Sequence, residues 1–270
     1  GYTGLAAARR IKELQPEAEV VVLEGSTVGE GSSARNSGFA NPRDSKIGLS
    51  LDQMERAEKI NAFASEGFAS LTEAMEKGGF GCDLQRTGRI QAAATELGAE
   101  KIRTMVEGAV AHGFAHEALD GRGLKAIIGT DYYRVGIRTE EGYLLQPAAL
   151  VRGLAETLPE GVRLHENSPV LSLERGAGWV LRTPDATIEA PTVILATNAA
   201  VKHFGYWRDG LVTIYTYAAI TEAMGPEDVA QLGALAWGLL PAHRLGTTVR
   251  RVGADRHMVR SLYAYEKPLD

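Results

Sequence analysis

The chain has 270 residues and a formal net charge of -5, and 44% of it is hydrophobic, which is typical of a globular protein with one large or two modest domains. An acidic chain without a long basic run argues against a nucleic-acid partner, because phosphate binding needs concentrated positive charge. A single cysteine, Cys82, excludes an internal disulfide and fits a reducing cytoplasm, which is the expected location. No apolar run is long enough to span a bilayer.

The helices are predicted from apolar residues at helical spacing and from the residues that end a helix. Residues 3–14 open the chain with such a helix, and residues 51–77 form a long one that Gly78 and Gly79 close. Further helices are expected at 95–112, 121–128 and 147–157, the last beginning with a proline that is tolerated in a first turn.

Two short apolar runs, 18–23 and 192–196, predict strands buried on both faces, as in a parallel sheet. Alternating or β-branched segments predict further strands at 88–94, 162–165, 170–174, 179–183, 187–190, 211–222 and on both sides of a turn at Gly253. Because the chain returns to a buried strand only after many other elements, we expect two interleaved domains.

The start of the chain follows the order glycine, helix, strand, acid. Gly1 and Gly4 fit the second and third glycines of G-x-G-x-x-G, which allow close approach of a pyrophosphate and of the sheet. The helix N-terminus then offers free N–H groups to the phosphates. Glu24 follows Gly4 by twenty positions and ends the next strand, where a carboxylate binds ribose hydroxyls. This pattern alone suits either FAD or NAD, and an ordinary helix start also accounts for both glycines.

A loop rich in glycine and serine follows the acid. Small residues there allow backbone and hydroxyl groups to approach a flat ring or a phosphate, and a simple NAD domain has no need of such a loop directly after its ribose acid. The loop therefore favours FAD, and its candidate cofactor contacts are Gly31, Ser32, Ser33, Arg35, Asn36, Ser37 and Gly38.

In their order and spacing, the segment 1–5, Glu24 and the segment 31–39 resemble the FAD-dependent oxidases of the D-amino-acid oxidase superfamily. The resemblance is strongest to its glycine/sarcosine oxidase and gamma-glutamylputrescine oxidase-like branch. The likeness continues in the segments 86–92, 141–147, 168–170 and 193–199, and it spans nearly the whole chain. It implies that the backbone of Val170 touches the adenine and that the turn under the dinucleotide is formed by Ala196, Thr197 and Asn198.

The resemblance implies an α/β fold: a Rossmann-like FAD-binding domain (GR2-type) with an interleaved α+β substrate domain built on a mixed or antiparallel sheet. We expect the FAD-binding domain at 1–80 and 145–200, and the substrate domain at 81–144 and 201–270. The first strand and first glycine of the dinucleotide motif are absent, as is the glycine-rich segment that the family has near its C-terminus. We therefore expect a partial chain.

The chemistry that the resemblance implies is hydride transfer from a carbon that bears nitrogen to the flavin, hydrolysis of the imine, and reoxidation by oxygen or another acceptor. No catalytic acid–base pair stands out, and the six histidines lack ligand spacing, so no metal is expected. Arg250 and Tyr217 are candidate substrate contacts; Arg250 shares a predicted strand face with Arg256 and Arg260, which also suits a solvated hairpin.

Two alternatives remain open at this point. One is an NAD(P)-dependent dehydrogenase with a plain Rossmann domain, and the other is a non-catalytic flavin-binding subunit or a truncated relic. The identity of the amine or amino acid, the choice between oxidase and dehydrogenase, the attachment of the flavin and the oligomeric state are not predicted by the sequence.

Overall fold

The computed structural model describes residues 1–42, 51–234, 236–243 and 245–265. The chain forms two compact units and passes between them five times. Unit 1 comprises Gly1–Asn36, Ala74–Cys82 and Gln146–Thr213, and unit 2 comprises Ser37–Glu73, Asp83–Leu145 and Ile214–Asp270. That 1–80 and 145–200 bind the cofactor, and that 81–144 and 201–270 bind substrate, stays a prediction.

The helices are α1 (Tyr2–Leu14), α2 (Leu51–Gly78), α3 (Glu96–Ala111), α4 (Gly121–Ile128), α5 (Pro147–Glu156) and α6 (Pro226–Val229), with a 3₁₀ helix at Asn198–Phe204. The strands are β1 (Val20–Leu23), β2 (Phe39–Ala40), β3 (Gln85–Arg86), β4 (Arg89–Ala93), β5 (Glu117–Asp120), β6 (Val135–Thr139), β7 (Tyr143–Leu144), β8 (Val162–His165), β9 (Ser172–Arg175), β10 (Trp179–Arg182), β11 (Thr187–Ala190), β12 (Ile214–Ile220), β13 (Gly238–Pro241), β14 (Thr248–Val252) and β15 (Arg256–Tyr265).

Unit 1 contains a parallel strand pair and a small antiparallel sheet. β1 runs parallel to β8, with Val20 opposite Val162, and α1 buries Leu5 and Ala8. β9, β10 and β11 form a three-stranded antiparallel sheet. The parallel pairing of β1 agrees with the prediction from its continuous apolar sequence. The predicted burial on both faces is wrong, because Val21 is 37% exposed and only Val20 of this strand is buried.

The strand predicted at 192–196 is wrong. This segment has no regular structure, and Ile194 is 54% exposed. A strand exists only when a neighbouring backbone completes its hydrogen bonds. None of the described strands forms a ladder with these residues, so the apolar run does not form a strand.

Unit 2 is built on a mixed seven-stranded sheet with the order β12-β15-β14-β13-β4-β6-β5. All neighbours are antiparallel except β13 and β4. Successive residues of β4 face opposite sides of the sheet: Ile90 packs in a cluster with Leu124 of α4, and Ala93 in a second cluster with Ile102 of α3. The mixed sheet agrees with the predicted fold class.

Local signals in the sequence place several elements correctly. Pro147 is the first residue of α5, and the Gln146 side chain accepts a hydrogen bond from the N–H of Ala148 at 2.8 Å. The hairpin of β14 and β15 turns at Gly253, which has a φ of +60°.

None of the helices in the described ranges has the length and apolar character of a membrane span.

Candidate cofactor site

The N-terminus of α1 offers unpaired backbone donors. Gly1 is its N-cap and provides no side-chain cap. The N–H of Tyr2 donates to Ser33 Oγ at 3.4 Å, whereas those of Thr3 and Gly4 have no protein acceptor within the described residues. Such free N–H groups, together with the helix dipole, favour binding of an anion.

Two of the predicted glycines have close neighbours in unit 1. A Cβ at Gly1 would lie 2.5 Å from Ser33 Oγ, and a Cβ at Gly4 would lie 3.4 Å from the Cβ of Ala196. The structure therefore brings Gly1, Gly4, Ser33 and Ala196 together at the first turn of α1, although they come from three distant parts of the chain. A side chain at position 1 would displace the Ser33 hydroxyl from this place.

Asn36 and Arg35, which were predicted to contact the cofactor, make contacts within the protein. The Asn36 amide donates to Ser33 O at 2.7 Å. Burial raises the pKa of the Tyr2 phenol, and a hydrogen bond from the Asn36 side chain partly opposes that rise. Arg35 forms an exposed ion pair with Glu30 at 2.7 Å.

The turn at 196–198 lies against the same loop. Asn198 has a φ of +52°, an unusual conformation for a residue other than glycine. Its Nδ2 donates to Ser32 Oγ at 3.1 Å. Thr197 and Asn198 are exposed, and Ala196 is half-buried. Ser32 and Ser33, two of the three predicted serines, thus each have an asparagine as a direct neighbour.

Glu24 lies directly after β1 and beside the segment that was predicted to contact adenine. Its N–H donates to His165 O at 2.9 Å, and its carbonyl accepts from the N–H of Ser168 at 2.8 Å. Its carboxylate is half-exposed and accepts a hydrogen bond from the N–H of Ser26 at 3.2 Å through Oε1. Val170 is half-buried and lies two residues beyond Ser168. After accepting one hydrogen bond, the Glu24 carboxylate still has lone pairs that can accept hydrogen bonds from ribose hydroxyls.

The remaining glycines and serine of the loop differ in their surroundings. Gly31 is exposed, and no atom lies within 4 Å of the Cβ it lacks. Ser37 and Gly38 belong to unit 2. Gly38 has a φ of +71°, and a Cβ there would lie 2.2 Å from Leu145 O and 2.3 Å from Arg250 Nη1.

Arg250 is a buried residue that binds backbone carbonyls. It is 7% exposed, and its Nη1 donates to Ser37 O and to Leu145 O, both at 2.9 Å. Burial lowers the pKa of its guanidinium, and the charge of Asp83 acts in the opposite direction. Within the described residues its Nη2 makes no hydrogen bond. These partners are far away along the chain and were not predicted from the sequence.

The predicted shared face of three arginines is present in the β14–β15 hairpin. Arg250 lies opposite Met258, so Arg256 and Arg260 flank its cross-strand neighbour on the same face. Arg256 is exposed and Arg260 half-buried, so only Arg250 is removed from solvent. Tyr217 of β12, the other predicted substrate contact, is 53% exposed and lies opposite Ser261.

A family profile described as "FAD dependent oxidoreductase" (DAO) matches residues 1–268. The chain belongs to the DAO family of FAD-dependent oxidoreductases. It is 30% identical over 207 residues to the "Probable oxidoreductase OrdL" of Haemophilus influenzae, covering 74% of this chain and 48% of that protein. It is 28% identical over 204 residues to the gamma-glutamylputrescine oxidoreductase of Escherichia coli, covering 74% and 47%. The chain thus spans about half the length of these relatives.

Solved structures agree with this DAO-family assignment at the level of the fold. Glycine oxidase from Geobacillus kaustophilus superposes with a TM-score of 0.75 at 17% identity, covering 98% of this chain and 70% of that one. L-proline dehydrogenase from P. horikoshii gives 0.69 at 14% identity, covering 96% and 67%. The predicted α/β fold is confirmed.

FAD is the cofactor of this family, so the NAD(P)-dependent alternative is wrong. The residues of unit 1 fit a dinucleotide. The first turn of α1 is uncapped, a Cβ at Gly1 would meet the Ser33 hydroxyl, and the Glu24 carboxylate accepts one hydrogen bond within the described residues. In the described residues, no group of three or more His, Cys, Asp or Glu side chains is placed to bind a metal ion.

Proposed function

We propose that the chain is part of an enzyme that oxidises the C–N bond of an amine or amino acid with FAD. The observation that carries this proposal is the uncapped first turn of α1, with Ser33 and Ala196 against its glycines, in a chain of the DAO family. When bound, FAD accepts the hydride from the carbon that bears nitrogen, the imine is hydrolysed by water, and the electrons pass to oxygen or another acceptor.

The proposed cofactor contacts begin at α1. The N–H groups of Thr3 and Gly4 would hold the pyrophosphate, and Gly1 would allow its approach. The hydroxyls of Ser32 and Ser33 would complete this anion site. Glu24 accepts hydrogen bonds from the ribose. The other proposed contacts are the backbone of Val170 at the adenine, the open backbone at Gly31, and the turn of Ala196, Thr197 and Asn198.

The proposed substrate class rests on the names of similar proteins. The relative from Escherichia coli is a gamma-glutamylputrescine oxidoreductase, and the structures with similar folds include a glycine oxidase and an L-proline dehydrogenase. Arg250 is the proposed contact for a substrate carboxylate, through the Nη2 that has no described hydrogen bond, and Tyr217 is a second proposed contact. The buried thiol of Cys82 suits the proposed location in the cytoplasm.

An anaerobic screen of flavin reduction tests the proposal on the whole protein. Glycine, sarcosine, proline, D-amino acids and polyamine conjugates are mixed with the purified flavoprotein, and the flavin absorbance is followed. At least one compound is expected to bleach the flavin, with peroxide formed when air is admitted. Yellow protein that no amine or amino acid bleaches would favour a non-catalytic flavin-binding subunit, and protein that binds no FAD would refute the proposal altogether.

A further inference from the structure

The serine loop at 31–36 is fastened to α1 by a ring of hydrogen bonds. The N–H of Tyr2 donates to Ser33 Oγ, the Asn36 amide donates to Ser33 O, and the Asn36 side chain also bonds the Tyr2 phenol. The Tyr2 hydroxyl in addition donates to Pro147 O at 3.4 Å. Asn36 therefore joins the loop to a half-buried side chain of α1.

A second asparagine holds the other serine of the loop. Asn198 donates from Nδ2 to Ser32 Oγ, although the two residues are 166 positions apart. Its left-handed backbone is one that asparagine adopts more readily than most residues other than glycine. Its side-chain hydrogen bond joins the turn at 196–198 to the serine loop.

Inside the loop, the backbone makes only two turn bonds. The N–H of Ala34 donates to Gly31 O at 3.1 Å, and that of Arg35 donates to Ser32 O at 3.2 Å. A segment with few backbone bonds and exposed residues opens easily unless side chains hold it. Hydrogen bonds from the side-chain amides of Asn198 and Asn36 fix Ser32 and Ser33, respectively, in place.

We propose that Asn36 and Asn198 are positioning residues that hold the serine loop against α1 and against the turn at 196–198, respectively, before FAD binds, so that the anion site is preformed. This inference rests on the proposed function, because it takes FAD as the occupant. A preformed loop loses little conformational entropy on binding, and binding to a loosened loop would be weaker by the cost of ordering it. The side chains of Asn36 and Asn198 thus act on FAD through the serines, whereas the contact proposed at 196–198 is made by the backbone of that turn.

Two measurements on the whole protein, after removal of its flavin, test this inference. The first is hydrogen exchange at the amides of Ala34 and Arg35, which reports loop opening without FAD. The second is the Kd for FAD, measured by fluorescence titration. The variants are Asn36→Ala and Asn198→Gly, since glycine keeps the left-handed turn while losing the amide.

Each variant is expected to accelerate exchange at Ala34 and Arg35. Asn198→Gly should weaken FAD binding about fivefold, as expected for the loss of one hydrogen bond, and Asn36→Ala should weaken it more, because two bonds are lost. Tyr2→Phe should weaken binding less when Asn36→Ala is already present, because the two groups share a bond. Gln231→Ala is the matched control: it removes an exposed amide of unit 2 and should change neither quantity.

Unchanged exchange in both asparagine variants would overturn the inference, even if FAD affinity fell, since the asparagines would then contact FAD directly. Faster exchange with unchanged affinity would also overturn it. If the wild-type protein binds no FAD but exchange responds as expected, the loop is held as inferred and the proposed function is the part that fails.

Discussion

Replacement of Arg250 by methionine should destabilise the protein by about 3 kcal/mol. The guanidinium donates two hydrogen bonds of 2.9 Å, to Ser37 O and Leu145 O, at a site where the residue is 7% exposed. Methionine keeps most of the apolar stem but donates nothing, so both carbonyls lose their partner. The variant therefore measures how far this one side chain fixes two distant backbone segments.

The magnitude follows from two opposing effects. A hydrogen bond to a charged group contributes roughly 1.5–3 kcal/mol, and two such bonds give about 3–6 kcal/mol. Burial of the cation is itself unfavourable, as the lowered pKa of Arg250 indicates, and its removal recovers part of that cost. A net loss of about 3 kcal/mol remains.

Urea unfolding, followed by circular dichroism, gives this difference from the shift in midpoint at constant slope. The control is Arg256→Met on the same hairpin face, where the side chain is 44% exposed and donates to Thr221 O at 2.9 Å. That variant should cost less than about 1 kcal/mol. If the two variants are equally stable, the Arg250 guanidinium does not hold the carbonyls and the reasoning fails.

Two further predictions concern unit 2. Burial and the charge of Arg251 lower the pKa of His257, so its folded pKa lies below its unfolded value. Stability should then be full above about pH 6.5 and should fall as the pH drops further, while His257→Gln should flatten this part of the pH profile in thermal melts. Gly129→Ala should cost at least ~2 kcal/mol in urea unfolding, because φ is +79° and the new Cβ would lie 2.0 Å from Gln231 O. Gly113→Ala, at φ +66° with no atom within 4 Å, should cost only about half as much; equal costs would refute the steric argument.

Local chemistry was a good guide to the elements. Periodic apolar residues, a proline in the first turn of α5 and a glycine at the hairpin turn each act within a few residues, so the sequence predicts them directly. The prediction of a strand at 192–196 was wrong because a strand depends on a partner backbone that is distant along the chain. An apolar run does not reveal whether that partner is present.

In the candidate site, too, features that depend on nearby residues were predicted, and contacts between distant residues were not. Gly1, Gly4 and Glu24 were predicted from their spacing around one helix and one strand. The hydrogen-bond partners of Asn198 and Arg250 were not predicted. Ser32 approaches Asn198, and Leu145 approaches Arg250, only in the folded chain. The sequence identified Asn36 as a polar loop residue but not that its amide turns back onto Ser33.

The parallel pairing of β1 with β8 also affects how the protein is made. Val20 pairs with Val162, so β1 leaves the ribosome long before its partner exists. At typical rates of synthesis, roughly 5–20 residues per second, the delay is on the order of ten seconds. During that time the nascent β1 exposes an unpaired apolar edge, which is a binding site for chaperones and a place where wrong strands can pair.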